Sequence, residues 1–552
     1  MHRILAALLL FAFTLFADHP VRERKAMVVA QEPNASDVGA AVLQSGGNAM
    51  DAAVAVAFAL AATYPNAGNL GGGGFLLLRT ASGESVFYDF RERAPEKASR
   101  DMYLDASGKL TRDSLAGWRA PGVPGTVHGL ETAHKKYGSK PWAELVAPSV
   151  KLANGFRVSY HLARSLRSAS KLLGQFSESK RIYLREGAYY EAGDTFRQPE
   201  LARTLERIAR NGATEFYEGA TAKKLAAEMA ANGGVITLED LKNYRTAIRK
   251  PINGSYRGYQ IITAPPPSSG GIGILQMMAM LEPSGYEKHG AGSAAAIHYV
   301  AETMRRFYAD RSEYVADPDF HKVPLSGLLS RAYIDKQRAS IHSDRASTSQ
   351  EIRPGNPPAY ESGETTHFSI VDAQGNAVAL TYTLNGSYGS GVTIPGLGFL
   401  MNNEMDDFSA KPGEPNLFGL VQGEANAIQP RKRPLSSMTP TILTKDGKLF
   451  LVLGAPGGGR IINGVLQVIL NIVDFKMNVQ DAIDAPRFHH QWMPDTLSLE
   501  KGFSPDTIAL LKARGHSVND ITDVSLVHAI QVEKDWLAGG TDRRGNGKAS
   551  GY

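Results

Sequence analysis

The residue pattern changes character once along this chain of 552 residues, and that change constrains the fold more than any other feature. From about Ala120 to Tyr244, Leu and Ala recur at helical spacing. Beyond a polar stretch at 340–364, short apolar runs alternate with turn signals instead. Phe368 to Val371, a turn at Asp372 to Asn376 and Ala377 to Thr383 read as a β-hairpin. Thr439 to Leu443 and Leu449 to Leu453 read as another, turning at Lys445-Asp446-Gly447. Helices early, strands late and no βαβ alternation argue for an α+β arrangement with packed sheets. No repeat recurs at a fixed period.

The N-terminal part adds detail. Ser36 or Asp37 can cap a helix running to Leu43, which Gly46-Gly47 ends. Asn48 then caps an Ala-rich helix over Ala49 to Ala62, too short to cross a bilayer and read as buried. Pro65 to Gly74 is a Gly-rich loop. Phe75 to Leu78 and Ser85 to Phe90 read as a hairpin across Ala81-Ser82-Gly83. A rigid turn, Ala264 to Gly271, leads into a helix from Ile272, and Gly454 to Gly459 leads into an apolar helix from Ile461 to Val473. Residues 340–364, rich in Ser, Pro and Gly, read as an exposed linker.

His2 and Arg3, the apolar run Ile4 to Phe16 and Leu15-Phe16-Ala17 before Asp18 have the layout of a signal peptide over residues 1–17. A secreted or periplasmic protein is expected. With no cysteine, disulfides, zinc–thiolate sites, iron–sulfur clusters and Cys nucleophiles are excluded. The net charge is only +5 with no long basic run, which does not favour nucleic acid as a partner. Hydrophobic residues at 43% rule out a disordered chain.

Known catalytic motifs test poorly. There is no Gly-x-Ser-x-Gly elbow and no His-Glu-x-x-His. Gly459 is followed by Arg460-Ile461 rather than the Lys-Ser/Thr of a phosphate loop, and Gly71 to Gly74 lacks dinucleotide spacing. His489 and His490 are neighbours that cannot share one face, so they read as structural. The informative segment is Glu361-Ser-Gly-Glu-Thr365-Thr366-His367, where the linker meets a strand. Cut before Thr365, the chain would carry an α-amino group beside the hydroxyl of that residue. An N-terminal amine can act as base for such a weak nucleophile. The same Thr also reads as an ordinary strand start. Arg91, the hydroxyl pair Ser436-Ser437 and the amide and carboxylate run Asn402 to Asp407 supply a cation, neutral donors and anions, the set a zwitterionic amino-acid end requires. Gly457-Gly458, between a strand and a helix, can present N–H groups to an oxyanion.

Taken together and in order, Gly46-Gly-Asn-Ala-Met-Asp-Ala-Ala, Asn69-Leu-Gly-Gly-Gly-Gly-Phe, Asp89-Phe-Arg-Glu, Glu364-Thr-Thr-His, Leu400-Met-Asn-Asn-Glu-Met-Asp-Asp-Phe, Arg433-Pro-Leu-Ser-Ser-Met and Pro456-Gly-Gly-Gly-Arg resemble the γ-glutamyltranspeptidase (glutathione hydrolase) family of N-terminal-nucleophile hydrolases, from about Ala26 to Tyr552. The resemblance implies a four-layer αββα fold with two stacked antiparallel sheets. It implies self-cleavage between Glu364 and Thr365, giving a large subunit (18–364) and a small one (365–552) that stay together in one body. By the same resemblance Thr365 is the nucleophile and Thr383 lies beside it. Arg91, Ser436 and Ser437 would hold the γ-glutamyl α-carboxylate. Asn385, Glu404 and Asp407 would hold the α-ammonium, and Gly457 and Gly458 would form the oxyanion hole. Glutathione or another γ-glutamyl compound would be the donor, with water, an amino acid or a dipeptide as acceptor. No cofactor and no metal is implied. Pro412 to Gln422 aligns with a lid loop in which Phe418 stands where some members carry Tyr, and Glu404 stands where some carry Gln. Two other readings stay open: an acylase of glutaryl-type amides on the same fold, and a non-enzymatic periplasmic protein that binds amino acids.

Overall fold

The computed structural model describes residues 19–354 and 366–552. The expected leader and the Glu364–Thr365 junction lie outside the described residues.

Two seven-stranded sheets form the centre, and every pairing within them is antiparallel. The first runs in the order Val21–Glu23, Leu537–Thr541, His528–Val532, Lys448–Gly454, Thr441–Lys445, Tyr259–Thr263, Ile252–Tyr256. The second runs Lys548–Gly551, Met27–Ala30, Thr366–Val371, Ala377–Thr383, Gly73–Arg79, Ser85–Asp89, Ala247–Arg249. All three hairpins expected from the sequence are present, each within about three residues of its expected ends.

Period-two alternation sorts the layers. In the strand Met27–Ala30, Met27 and Val29 face the other sheet, where they meet Ile442, Val452 and Ile530. Val28 and Ala30 face a helical layer built on the helix Ala49–Thr63. All fifteen residues of that helix are buried, as its all-round apolar sequence requires. On the far side of the first sheet, Leu443, Leu451 and Leu453 pack against the helices Gly270–Leu281, Ala294–Tyr314 and Arg460–Val473. The order helix, sheet, sheet, helix is the expected αββα stack. Strands from before and after position 365 interleave in both sheets, so separating the two parts would tear both sheets.

One expectation needs correction and one needs refinement. The first helix starts at Pro33, not after Ser36 or Asp37. Pro33 presets its first turn, and Glu32 caps it by accepting from Ala35 N at 3.1 Å. Ser36 instead donates to Lys548 O at 2.8 Å. The described part of the expected linker is exposed at most positions, as expected, but it is anchored at Ser347 and Ser349, which are buried. Ser347 donates to Glu302 Oε2 at 2.6 Å, and Ser349 N to Asp495 Oδ2 at 2.6 Å. Trp492 Nε1 donates to the carbonyls of Ser349 (3.0 Å) and Ile352 (2.8 Å). Polar residues without periodicity are thus satisfied by partners distant in sequence. Among the described residues no helix is long and apolar enough to cross a membrane.

Candidate active site

The site forms where the central strand Thr366–Val371 begins. Thr366 pairs with Tyr382, and Thr383 lies one position past that pair. Thr383 is buried and its Oγ1 accepts from Asn385 N at 2.7 Å. That bond turns the chain at Asn385, whose φ of +70° is one an Asn side chain tolerates. Asn385 Nδ2 donates to Asn403 O at 3.0 Å, and its Oδ1 is a buried acceptor with no partner among the described residues. The Gly-rich loop beside it has a packing cause rather than a phosphate-binding one. A Cβ on Gly72 would lie 1.9 Å from the carbonyl oxygen of Thr383.

Arg91 enters from the end of the strand Ser85–Asp89. Asp89 Oδ1 accepts from Arg91 N at 3.1 Å, and Tyr244 donates to Arg91 O at 2.9 Å, which fixes the turn. The guanidinium is fully buried. It donates to the carbonyls of Pro434 (3.1 Å) and Leu435 (2.7 Å), to Asp407 Oδ2 at 2.5 Å and to Glu404 Oε1. Glu404 and Asp407 share one face of a single 3₁₀ turn, Glu404–Asp407, braced by Asn402 Oδ1 on Glu404 N at 2.9 Å. Asp406 faces the other way and accepts from Leu417 N, in the segment Pro412 to Gln422, at 3.0 Å. The sequence grouped Arg91 with the serines. The structure adds a direct ion pair from Arg91 to both candidate ammonium ligands.

A third buried carboxyl, Glu92, lies 4.0 Å from Arg91 Nη1 and beside the Glu404 carboxyl, and neither of its oxygens accepts a hydrogen bond from a donor group among the described residues. Burial raises its pKa to about 7, against the pull of Arg91. Burial also pushes Glu404 and Asp407 well above the usual carboxylate range, since one guanidinium cannot keep three buried carboxyls ionised. Glu404 Oε2 has no partner among the described residues.

Ser436 and Ser437 follow the two carbonyls that hold Arg91. Ser436 is pinned by its N–H on Pro267 O (2.8 Å) and by Ser269 N on its carbonyl (2.8 Å). Its Oγ accepts from Met438 N at 3.1 Å. Ser437 Oγ accepts from Arg311 Nη2, on the helix Ala294–Tyr314. Each hydroxyl oxygen therefore receives a donor and keeps its own proton for another acceptor.

Gly457 (φ +135°) and Gly458 (φ +61°) lie between the strand Lys448–Gly454 and the helix Arg460–Val473. Their carbonyls accept from Arg460 N (3.1 Å) and Ile461 N (3.0 Å). Neither glycine N–H donates to another described residue. Tyr308 anchors the loop by donating to Gly459 O. His367, buried between the sheets, sets the loop's other root. Its ring accepts or donates to Thr381 Oγ1 (2.9 Å) and Ser369 Oγ (3.0 Å), and a Cβ on Gly454 would lie 2.5 Å from it. Burial holds His367 well below the usual imidazole range, hence neutral. Phe418 packs against the helical layer behind the first sheet, and Gln491 Nε2 donates to the carbonyls of Phe418 and Gly419, both at 3.3 Å.

His489 and His490 are structural, as expected: His489 Nδ1 accepts from Asn463 (2.7 Å) and His490 Nδ1 from Trp492 N (3.1 Å). Among the described residues one group has metal-ligand types together, His298, Glu302 and His516. Its carboxylate is already filled by Arg306 (2.7 Å), Arg305 (3.2 Å) and Ser347 (2.6 Å), and its two imidazoles bond each other at 2.8 Å. It works as a clamp on the docked segment. Glu92 and Arg311 were not assigned from the sequence. Glu92 stands in a quoted motif, but adjacency alone does not place it beside Arg91.

Residues 35–552 match the family model described as Gamma-glutamyltranspeptidase. The chain is 51% identical over 530 residues to the glutathione hydrolase proenzyme of Escherichia coli (strain K12), a match covering 95% of this chain and 91% of that protein. Its fold is similar to cephalosporin acylase from Bacillus halodurans, with a TM-score of 0.88 at 28% identity over 97% of each chain. It is also similar to γ-glutamyltranspeptidase from Helicobacter pylori, with a TM-score of 0.58 at 45% identity over 59% of this chain and 94% of that one.

Proposed function

The chain belongs to the γ-glutamyltranspeptidase family, and from that premise we propose how its own residues carry out γ-glutamyl transfer. It is a γ-glutamyltransferase and glutathione hydrolase made as a proenzyme, processed into a large and a small subunit. We assign the cut to Glu364–Thr365, giving subunits 18–364 and 365–552. The Thr365 hydroxyl would attack the Glu364 carbonyl carbon. The peptide C–N bond breaks as the ester forms, which frees the protonated Thr365 amine, and water then hydrolyses the ester to release the Glu364 carboxylate and the Thr365 hydroxyl. Thr383 would steady that amine. The leader-like residues 1–17 support export to the periplasm or beyond the cell.

One observation carries the substrate assignment. Among the described residues, Glu404 Oε2 and Asn385 Oδ1 are buried acceptors that receive no hydrogen bond, and the Ser436 and Ser437 hydroxyls, which accept from Met438 N and Arg311, show no acceptor for their own protons. An α-ammonium and an α-carboxylate on one carbon would satisfy both sets. The ammonium would take Glu404, Asp407 and Asn385, and the carboxylate would take Arg91 and the two serines. The ligand thereby exchanges the pairs of Arg91 with Glu404 and Asp407 for new pairs at its own two ends, which lessens the cost of opening the Arg91 pairs. With the α-carbon held at two points, the γ-carbonyl carbon is the atom left to react. Thr365 Oγ would attack it, with Gly457 and Gly458 N–H stabilising the oxyanion and the amine of Thr365 taking the hydroxyl proton. That proton goes to the leaving amine, cysteinylglycine when glutathione is the donor. Water or an amino-acid amine then resolves the γ-glutamyl ester.

The fold is shared with an acylase, so the substrate test must separate the two chemistries. A glutaryl chain has no ammonium and would leave the acceptor oxygens unpaired. γ-Glutamyl-p-nitroanilide is expected to be turned over with a kcat/KM at least about 100-fold above glutaryl-p-nitroanilide. Equal turnover would remove Glu404, Asp407 and Asn385 from the ammonium role and favour the acylase.

A further inference from the structure

Arg91 is heavily committed. It serves two carbonyls and two carboxylates, and a carboxylate arriving from the substrate finds little of its hydrogen-bonding capacity unspent. A second guanidinium contacts the serine pair, Ser437 directly and Ser436 through Ser269. Arg311 is 1% exposed. Its Nη2 donates to Ser437 Oγ and its Nε to Ser269 Oγ at 3.2 Å. Ser269 in turn donates through both N–H (2.8 Å) and Oγ (3.0 Å) to the carbonyl of Ser436. The guanidinium also lies 5.5 Å from the ring of Tyr308, whose hydroxyl holds the oxyanion loop at Gly459. One buried cation thus braces both serines and reaches, through Tyr308, the loop that carries Gly457 and Gly458.

A guanidinium only donates. A serine oxygen that accepts from it cannot turn its own proton the same way, so the Ser437 hydroxyl is fixed as a donor toward the pocket. We propose that Arg311 is a positioning residue for the α-carboxylate of the γ-glutamyl donor, acting through Ser437 and placing a second buried positive charge behind the carboxylate-binding wall. This rests on the γ-glutamyl reading above. Burial lowers the pKa of Arg311 to about 9, so the group is still charged at neutral pH. A bound carboxylate nearby would favour that charge, and the charge would favour the carboxylate. The two other arginines of the helix, Arg305 and Arg306, are directed to Glu302 and to the docked segment, so they do not duplicate the role.

The test uses the processed enzyme and two anilides. L-γ-Glutamyl-p-nitroanilide carries the α-carboxylate, and 4-aminobutyryl-p-nitroanilide keeps the amine but lacks it. Arg311→Met should raise KM for the first about 10- to 100-fold, the worth of one hydrogen bond to a charged group, with a much smaller change in kcat. KM for the second should not move. Ser437→Ala should do the same, and the double variant should lose clearly less than the product of the two single losses, because the two changes share the Ser437 pathway. Where Arg311→Met is not processed, Arg311→Lys, which keeps the buried charge but loses the fork, carries the comparison with a smaller shift of the same selectivity. Equal losses on both anilides, an unchanged KM on the first, or additive losses in the double variant would overturn the proposal. A wild-type enzyme indifferent to the α-carboxylate would instead sink the γ-glutamyl reading itself.

Discussion

Glu92→Gln isolates the charge imbalance around Arg91. Glu92 is fully buried, 4.0 Å from the guanidinium, and its pKa rises from 4.5 to about 7 through burial. Because the folded value lies above the unfolded one, the folded protein keeps a proton that the unfolded chain has already lost. Stability is therefore full below pH 4.5 and is lost as pH rises from there through 7. Applying the linkage relation to those two values, the loss is about 1 kcal/mol at pH 5 and about 3 kcal/mol at pH 8. Gln keeps the shape and cannot ionise. Its removal of a like charge also eases Glu404, in the same direction. The variant should gain about 2 kcal/mol on wild type between pH 5 and pH 8, read as a Tm difference that widens by a few degrees. Thermal melts of both processed proteins at the two pH values decide it. A Tm difference that stays constant, or narrows toward pH 8, would refute the claim that Glu92 is held protonated.

Arg91→Lys should raise KM for a γ-glutamyl anilide about tenfold, since Lys cannot serve two carboxylates and two carbonyls from one flat fork; an unchanged KM in steady-state assays would remove Arg91 from the substrate grip. Gly454→Ala drives a Cβ to 2.5 Å from the His367 ring, which Thr381 and Ser369 hold in place. It should cost about 1–3 kcal/mol in stability and lower kcat by displacing the oxyanion loop, measured by melting and turnover. Trp492→Phe removes the two N–H bonds that dock Ser349 and Ile352. Limited proteolysis should then cut within residues 340–354, where wild type resists.

What the sequence revealed and what it hid divide along a physical line. Hairpins were legible because alternation and turn residues are local, and the Ala49–Thr63 helix because Asn48 and Asp51 form a capping box around an all-apolar run. Residues such as Ser436 and Asp407 were assigned only because their motifs resemble a family, not because spacing demands them. Arg311 escaped because its helix carries Arg305, Arg306 and Arg311, and nothing local says which one a distant serine will meet. Glu92 escaped because side chains in an extended chain alternate, which would send it away from Arg91, whereas Asp89 turns the backbone there and buries both. The segment 340–354 is mostly exposed, as its composition says, but its anchoring at Ser347 and Ser349 was hidden because the partners Glu302, Asp495 and Trp492 lie on other parts of the chain.

The central claim is that this chain makes its own nucleophile at Thr365. The most direct measurement is the intact mass of the purified protein under denaturing conditions, with N-terminal sequencing of the products and Thr365→Ala alongside. The account predicts two fragments from the natural chain, the smaller one beginning at Thr365, and a single uncut chain from the variant. A natural chain that stays whole on incubation, or a variant that is cut at the same bond and rate, would contradict it.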